Sequence, residues 1–197
     1  MHLRDLLGIF VLLAVFRGGW SIDIEYLGKV CAGTHEGLQS RPAKFRYDFL
    51  RERYTNCTYV NGNLEITFLD DPTINYDLGF LENIREVTGY VLIAYVYADY
   101  VPLKKLEIIR GQTLFSARRG EPKKYSLYVV ANVKPNDKNV GLKELRFINL
   151  RDILNGDIEF VNNNLLCHAA TIDWTDILGP VNKTVSIISD TSYFVSD

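Results

Sequence analysis

The sequence has few cysteines, histidines and methionines, and no excess of positive charge. Three cysteines, three histidines and one methionine stand in 197 residues, beside 22 basic and 24 acidic side chains. A formal net charge of −2 provides no basic stripe for nucleic acid or anionic lipid. Beyond the N-terminus no apolar run approaches the roughly 18 residues of a membrane-spanning helix, so no membrane insertion is expected. The motifs of catalysis are missing too. There is no Gly-x-Ser-x-Gly elbow, no phosphate-cradling glycine loop and no His-Glu-x-x-His. His168 directly follows Cys167, and neighbours in an extended segment point to opposite faces, so the two make neither a dyad nor a pair of ligands to one metal. Asp70-Asp71 precedes a proline without the ligand ladder of a calcium loop. The expectation is a protein with no catalytic residues, no metal and no cofactor.

What is present begins with an export signal. Met1 to Ser21 carries Arg4, an uninterrupted apolar stretch from Leu6 to Phe16, and small residues at Gly19 and Ser21, the pattern of a cleaved secretory peptide. The apolar stretch is too short to span a bilayer, which takes roughly 20 residues. The mature chain is expected to start near Ile22 and to be secreted or to face the extracellular side. It is long enough for one domain with a proper core. An exported chain with three cysteines implies a free thiol, an intermolecular bridge, or a partner beyond the end of the sequence. Cys31 and Cys57 flank one helical segment and are expected to pair, leaving Cys167 over.

That helix is expected to start at Ser40 and Pro42, Ser as a cap and Pro in the first turn. Tyr47, Leu50 and Tyr54 recur at helical spacing, and Lys44, Arg46, Asp48, Arg51 and Glu52 form a solvated face. After it, a turn at Asn61-Gly62-Asn63 feeds the alternating run Leu64–Leu69, with Leu64, Ile66 and Phe68 on one face and Glu65 and Thr67 on the other. Strand-like runs follow at Gly89–Val96, Lys124–Val130 and Gly156–Val161. Leucine-spaced segments stand between them, at Leu78–Val87, Leu103–Phe115 and Leu142–Ile153. A repeat of about 25–35 residues is the signature of a solenoid, each coil burying its apolar edge on its neighbours. Asn162-Asn163-Asn164 reads as a tight corner, since Asn tolerates left-handed geometry. Asp173–Leu178 reads as a short last helix stopped by Gly179-Pro180, with Trp174 capping the core. Residues 180–197 are expected to be a disordered tail or truncated linker. The basic loop Arg118–Lys124 reads as a solvated insertion.

Several ordered blocks resemble a known family. They are Lys29-Val-Cys-Ala-Gly-Thr34, Asn56-Cys57 with Gly62-Asn-Leu-Glu-Ile66, Glu86-Val-Thr-Gly-Tyr-Val-Leu-Ile-Ala94, Ile108-Ile-Arg-Gly111, Gly141-Leu-Lys-Glu-Leu145, Ile153-Leu-Asn-Gly156, and Leu166-Cys167 with Thr171-Ile-Asp-Trp174. Together they resemble the first receptor L domain (L1) of the epidermal growth factor receptor family of receptor tyrosine kinases, in wording closest to its arthropod members. The insulin receptor L1 domain is a more distant likeness. The resemblance covers roughly residues 29–178, and the domain is assigned to 22–179.

The resemblance implies an α/β solenoid, specifically a right-handed parallel β-helix with leucine-rich-repeat-like coils, capped by the N-terminal amphipathic helix. It supports the Cys31–Cys57 bridge. It also implies that the partner of Cys167 lies in a cysteine-rich segment not included here, so the chain is expected to be a receptor fragment or a secreted L1-only product. By position it transfers a growth-factor face to Leu38, Phe68, Tyr95, Val130 and Glu159. The implied function is binding of an EGF-like polypeptide, with receptor subunits of the same family as further partners. The alternative is a secreted decoy that binds growth factor or receptor without signalling. Asn56 (Asn-Cys-Thr) and Asn182 (Asn-Lys-Thr) are glycosylation acceptors in an exported chain.

Overall fold

The computed structural model describes residues 28–117, 122, 124–167, 169–179 and 183–188. The expected signal peptide, His168, Asn182 and residues 118–121 and 123 of the basic loop lie outside the described residues. In chain order the elements are β1 (Lys29–Ala32), α1 (Ala43–Tyr54), β2 (Cys57–Asn61), β3 (Leu64–Leu69), β4 (Glu86–Val87), β5 (Val91–Val96), β6 (Tyr100–Val101) and β7 (Ile108–Ile109). They continue with β8 (Tyr125–Val130), β9 (Val133–Lys134), β10 (Asp137–Gly141), β11 (Glu144–Leu145), β12 (Asp152–Ile153), β13 (Asp157–Val161), α2 (Trp174–Leu178) and β14 (Val185–Ile188).

Two five-stranded sheets organise these strands, in the orders β1-β2-β4-β7-β12 and β14-β13-β8-β5-β3. Every pairing in both is parallel. The chain crosses from the first sheet to the second four times, as β2 to β3, β4 to β5, β7 to β8 and β12 to β13. The glycine turns at these crossings stack on one another: Gly89 N–H donates to the Gly62 carbonyl at 2.8 Å and Gly111 N–H to the Gly89 carbonyl at 3.2 Å. Gly111 has φ +62, and a Cβ there would run into the Ser126 side chain and the Asn155 carbonyl, so glycine is required at that turn.

The core lies between the sheets. Leu64, Ile66 and Leu69 of β3, Val91, Ile93 and Val96 of β5, and Leu127 and Val129 of β8 are all fully buried, as are Val60, Val87 and Ile109 of the first sheet. Each such side chain contributes about 1.5–3 kcal/mol by leaving water. The leucine-spaced connections also deliver their apolar residues inward: Leu78, Leu81 and Ile84 in one, Leu103 and Leu106 in the next.

Helix α1 closes one end, packing Tyr47, Leu50 and Tyr54 onto the core. Its start differs from the sequence expectation. Pro42 is the N-cap and no side chain caps the helix, so Ser40 lies outside it. Arg46, expected on the solvated face, is 1 % exposed. It is drawn inward because Glu36 and the Gln39 carbonyl accept from its guanidinium, at 2.5 and 3.0 Å. Cys31 and Cys57 are bonded, with Cα atoms 5.9 Å apart, tying β1 to β2 across α1. Helix α2 is capped by Asp173, whose side chain accepts from Thr175 N–H. As expected, Trp174 is buried, against Phe160.

Two further departures concern strands. The alternation in β3 ends at Phe68, which has φ +55, and Leu69 rather than Phe68 turns into the core. Within the span expected as a tail, Val185–Ile188 forms β14 and adds to the edge of the second sheet beside β13. Among the described residues, no helix is long and apolar enough to cross a membrane.

Candidate functional site

The outward faces of the two sheets differ in chemistry. That of the first sheet is charged: Glu86 pairs with Arg110, and Glu107 with both Arg85 and Arg151. Opposite charges lined up across strands make a well-solvated surface. The second sheet carries outward rows set by its register. One row runs Glu65, Leu92, Tyr128, Glu159, Ser186, and the next runs Thr67, Ala94, Val130, Val161, Ile188. Tyr90, Leu92, Ala94, Phe115, Tyr125 and Tyr128 form a cluster separate from the main core, with Tyr95, Val130 and Val161 packed at its margin. The strand-to-strand connection supplies Phe115, which pairs with Tyr125 in an antiparallel bridge and packs its ring 5.1 Å from Tyr128 and 5.5 Å from Tyr90.

A column of left-handed residues lies where these strands end. Phe68, Tyr95, Ala131 and Asn162 have φ between +53 and +57, a conformation costing a non-glycine residue about 1–2 kcal/mol. The residue after each returns to the interior: Leu69, Val96, Asn132 and Asn163. Asn132 accepts from Val96 N–H at 2.9 Å and donates to the Ile93 carbonyl at 3.1 Å and to Asn163 Oδ1 at 2.9 Å. Asn163 donates in turn to the Val129 carbonyl at 2.9 Å. This ladder holds the corner, and the strained residues before it are turned out of the pleat. Phe68 and Tyr95 therefore stack, rings 5.0 Å apart and 14° from parallel, and both remain partly accessible.

The residues transferred from the resemblance are placed unequally. Phe68 and Tyr95 are brought together. Val130 lies on the same outward face, level with Ala94 and Val161; the left-handed place on β8 belongs to its neighbour Ala131. Leu38 is 41 % exposed on the turn between β1 and α1. Glu159 shares the outward face but is 8 % exposed, in register between Tyr128 and Ser186. Asn56 is exposed at φ +63, while the Thr58 hydroxyl of its acceptor motif donates to the Lys29 carbonyl at 3.1 Å. Cys167 is exposed and free. Tyr90, Phe115 and Tyr128 escaped the sequence reading as parts of this face. The alternation Ser126, Tyr128, Val130 carried a signal for one of them, but nothing local places Phe115.

The family profile described as "Receptor L domain" matches residues 56–178. The epidermal growth factor receptor of Drosophila melanogaster is 48% identical over 152 residues, 77% of this chain and 10% of that protein. The human receptor tyrosine-protein kinase erbB-4 is 39% identical over 184 residues, 92% of this chain and 13% of that protein. The epidermal growth factor receptor of Gallus gallus is 39% identical over 161 residues, 81% of this chain and 22% of that protein. The chain thus spans between a tenth and about a fifth of the length of these curated relatives.

Proposed function

Because the chain belongs to the receptor L domain family, on its epidermal growth factor receptor branch, we propose that it binds an EGF-like polypeptide growth factor through the outward face of its second sheet. It is an extracellular receptor module and not the kinase of its relatives. The two parallel sheets and the repeated crossings between them are read as the faces of a right-handed parallel β-helix with leucine-rich-repeat-like coils, the L1 domain of such a receptor.

One observation carries the proposal: the stacked, partly accessible pair Phe68–Tyr95, turned out of its strands at a strained backbone. Bulky residues in left-handed geometry cluster where function demands the placement, and exposed aromatics are the preferred anchors of protein interfaces. Val130 and Val161 extend the apolar surface toward β14, and Leu38 flanks it on the turn before α1. Glu159, mostly covered, sets the charge beneath the patch rather than offering area. A single module supplies one patch of contacts against the whole cost of association, so affinity is expected to be micromolar or weaker.

The test is titration of the secreted chain over an immobilised EGF-like growth factor domain. Tyr95→Ala and Phe68→Ala are each expected to weaken binding about tenfold. Wild-type affinity in both variants would exclude this face.

A further inference from the structure

The turn that presents Leu38 is held from both sides by buried charges. On the sheet side, Glu65 is fully buried. Its carboxylate accepts from the backbone N–H of Glu36 at 2.8 Å, from that of Gly37 at 2.9 Å, and from the Tyr90 hydroxyl at 2.5 Å. On the helix side, Arg46 donates to the Glu36 carboxylate and to the Gln39 carbonyl, while Arg41 pairs with the same carboxylate at 3.5 Å. The turn closes on itself through Gln39 N–H to the Glu36 carbonyl at 3.2 Å, with φ +56 at Gly37. Leu38 thus stands between two fixed points, Gly37 and Gln39, and is itself exposed. The upstream chain is fastened too: Thr34 N–H donates to the Asn63 carbonyl at 2.9 Å, and Glu65 N–H to the Thr34 hydroxyl at 3.1 Å.

A carboxylate buried among three donors holds them by charge-assisted bonds, the strong class. Local stability of the sheet does not need it, because β3 is already paired with β5 along its length. What Glu65 adds is a fixed place for a surface turn. We infer that Glu65 is a positioning residue for ligand binding, which preorganises the Glu36–Gln39 turn so that Leu38 meets the growth factor without an ordering cost. The inference rests on the growth-factor reading of the outward face. Rigidifying a contact loop in its bound form raises affinity by removing entropy that binding would otherwise lose.

The experiment combines amide hydrogen exchange with a double-mutant cycle on the full secreted chain, using the same immobilised EGF-like domain. In the wild type, the Glu36 and Gly37 amides exchange slowly. In Glu65→Gln they exchange fast while the β5 and β8 amides stay protected. Glu65→Gln and Leu38→Ala each weaken binding about tenfold, and the double variant loses little more than either alone, since both act through one side chain. Combined with Tyr95→Ala, the Glu65→Gln loss multiplies. Fast exchange at Glu36 and Gly37 in the wild type overturns the tether, whether or not the variant folds. Multiplying losses in the Leu38 cycle, or unchanged binding by a Glu65→Gln chain with a loosened turn, overturn the positioning role. A wild-type chain that does not bind the probe overturns the growth-factor reading and the positioning role with it, while exchange still decides the tether.

Discussion

Phe68 and Glu65 sit three residues apart on one strand and illustrate two ways of using an outward position. Phe68 leaves the pleat at a backbone cost and stacks on Tyr95, a contact worth about 0.5–1.5 kcal/mol beyond its area. Tyr95 is left-handed as well, so the one stack recovers only part of the strain of the two residues, and the packed corner beneath them supplies the rest. Glu65 instead stays covered and organises its neighbours. Tyrosines sunk into the molecule have their own consequence. Burial pushes the Tyr54 phenol from 10.0 up to about 12, with the Thr34 hydroxyl and Arg53 offsetting part of the rise. Burial, then the Glu65 carboxylate, raises Tyr90 as well. In the unfolded chain these phenols ionise near their ordinary value, so above it the unfolded state holds fewer protons than the folded one. Stability is then complete below about pH 10 and falls as pH rises through about 12, by roughly 2–3 kcal/mol for Tyr54. Urea unfolding at pH 9 and pH 11.5 measures the loss, and Tyr54→Phe should flatten the slope; an unchanged slope would clear Tyr54 of the effect.

At the scale of elements, the corner after β3, β5, β8 and β13 decides which way the strand ends face. Apolar residues fill its inner places in the first two strands, Leu69 and Val96, and asparagines fill those of the last two, Asn132 and Asn163. Asn132 is fully buried, and its side chain is the partner of Val96 N–H and the Ile93 carbonyl. Asn132→Ala leaves buried backbone groups without partners, each costing about 1–3 kcal/mol. The expected loss is roughly 2–4 kcal/mol in denaturant unfolding, accompanied by faster amide exchange at Val96. A loss within 0.5 kcal/mol or so, the level of a surface change, would mean that water replaces the ladder. Helix α1 is positioned by tertiary bonds rather than by a cap, since its N-terminus has no side-chain cap and Arg46 reaches back to the turn before it.

For the whole molecule, the Cys31–Cys57 bridge joins residues separated by 26 positions and fixes the capping helix to the stack of strands. Closing a loop of that length restricts the unfolded chain by an amount worth about 3.5 kcal/mol in the chain-entropy account. Replacing both cysteines by serine should lower stability by about that much, measured as a lower urea midpoint with a steeper slope, because the unfolded chain freed of the bridge exposes more surface. Phe68, Tyr95 and Val130 of the proposed face lie on the second sheet, outside the 31–57 loop that the bridge closes and that carries Leu38, so their share of the affinity should remain in the folded double variant. A parallel fall in affinity would show that the bridge also shapes the face. The first sheet turns paired charges outward, whereas the second turns out a mostly covered aromatic cluster with Phe68, Tyr95, Val130 and Val161 partly accessible at its margin.

The sequence by itself determined the repeat, the strand runs, the helix and its core residues, and the pairing of the first two cysteines. Each of these rests on local periodicity or chain proximity, which sequence spacing encodes directly. It also carried family blocks enough to name the branch and to point at Phe68 and Tyr95. Only the tertiary structure decided that Phe68 is turned out of the pleat, because its left-handed backbone is imposed by the packing of Leu69 and the corner beneath it. Only the tertiary structure buried Arg46 and Glu65, whose partners Glu36 and Gly37 lie 10 and 28 positions away and become neighbours when β3 meets the turn after β1. For the same reason Phe115 joined the face and Val185–Ile188 joined the sheet: Phe115 has no local signature, the mostly β-branched run Val185–Ile188 is short, and both are fixed by neighbours that the chain meets only after folding.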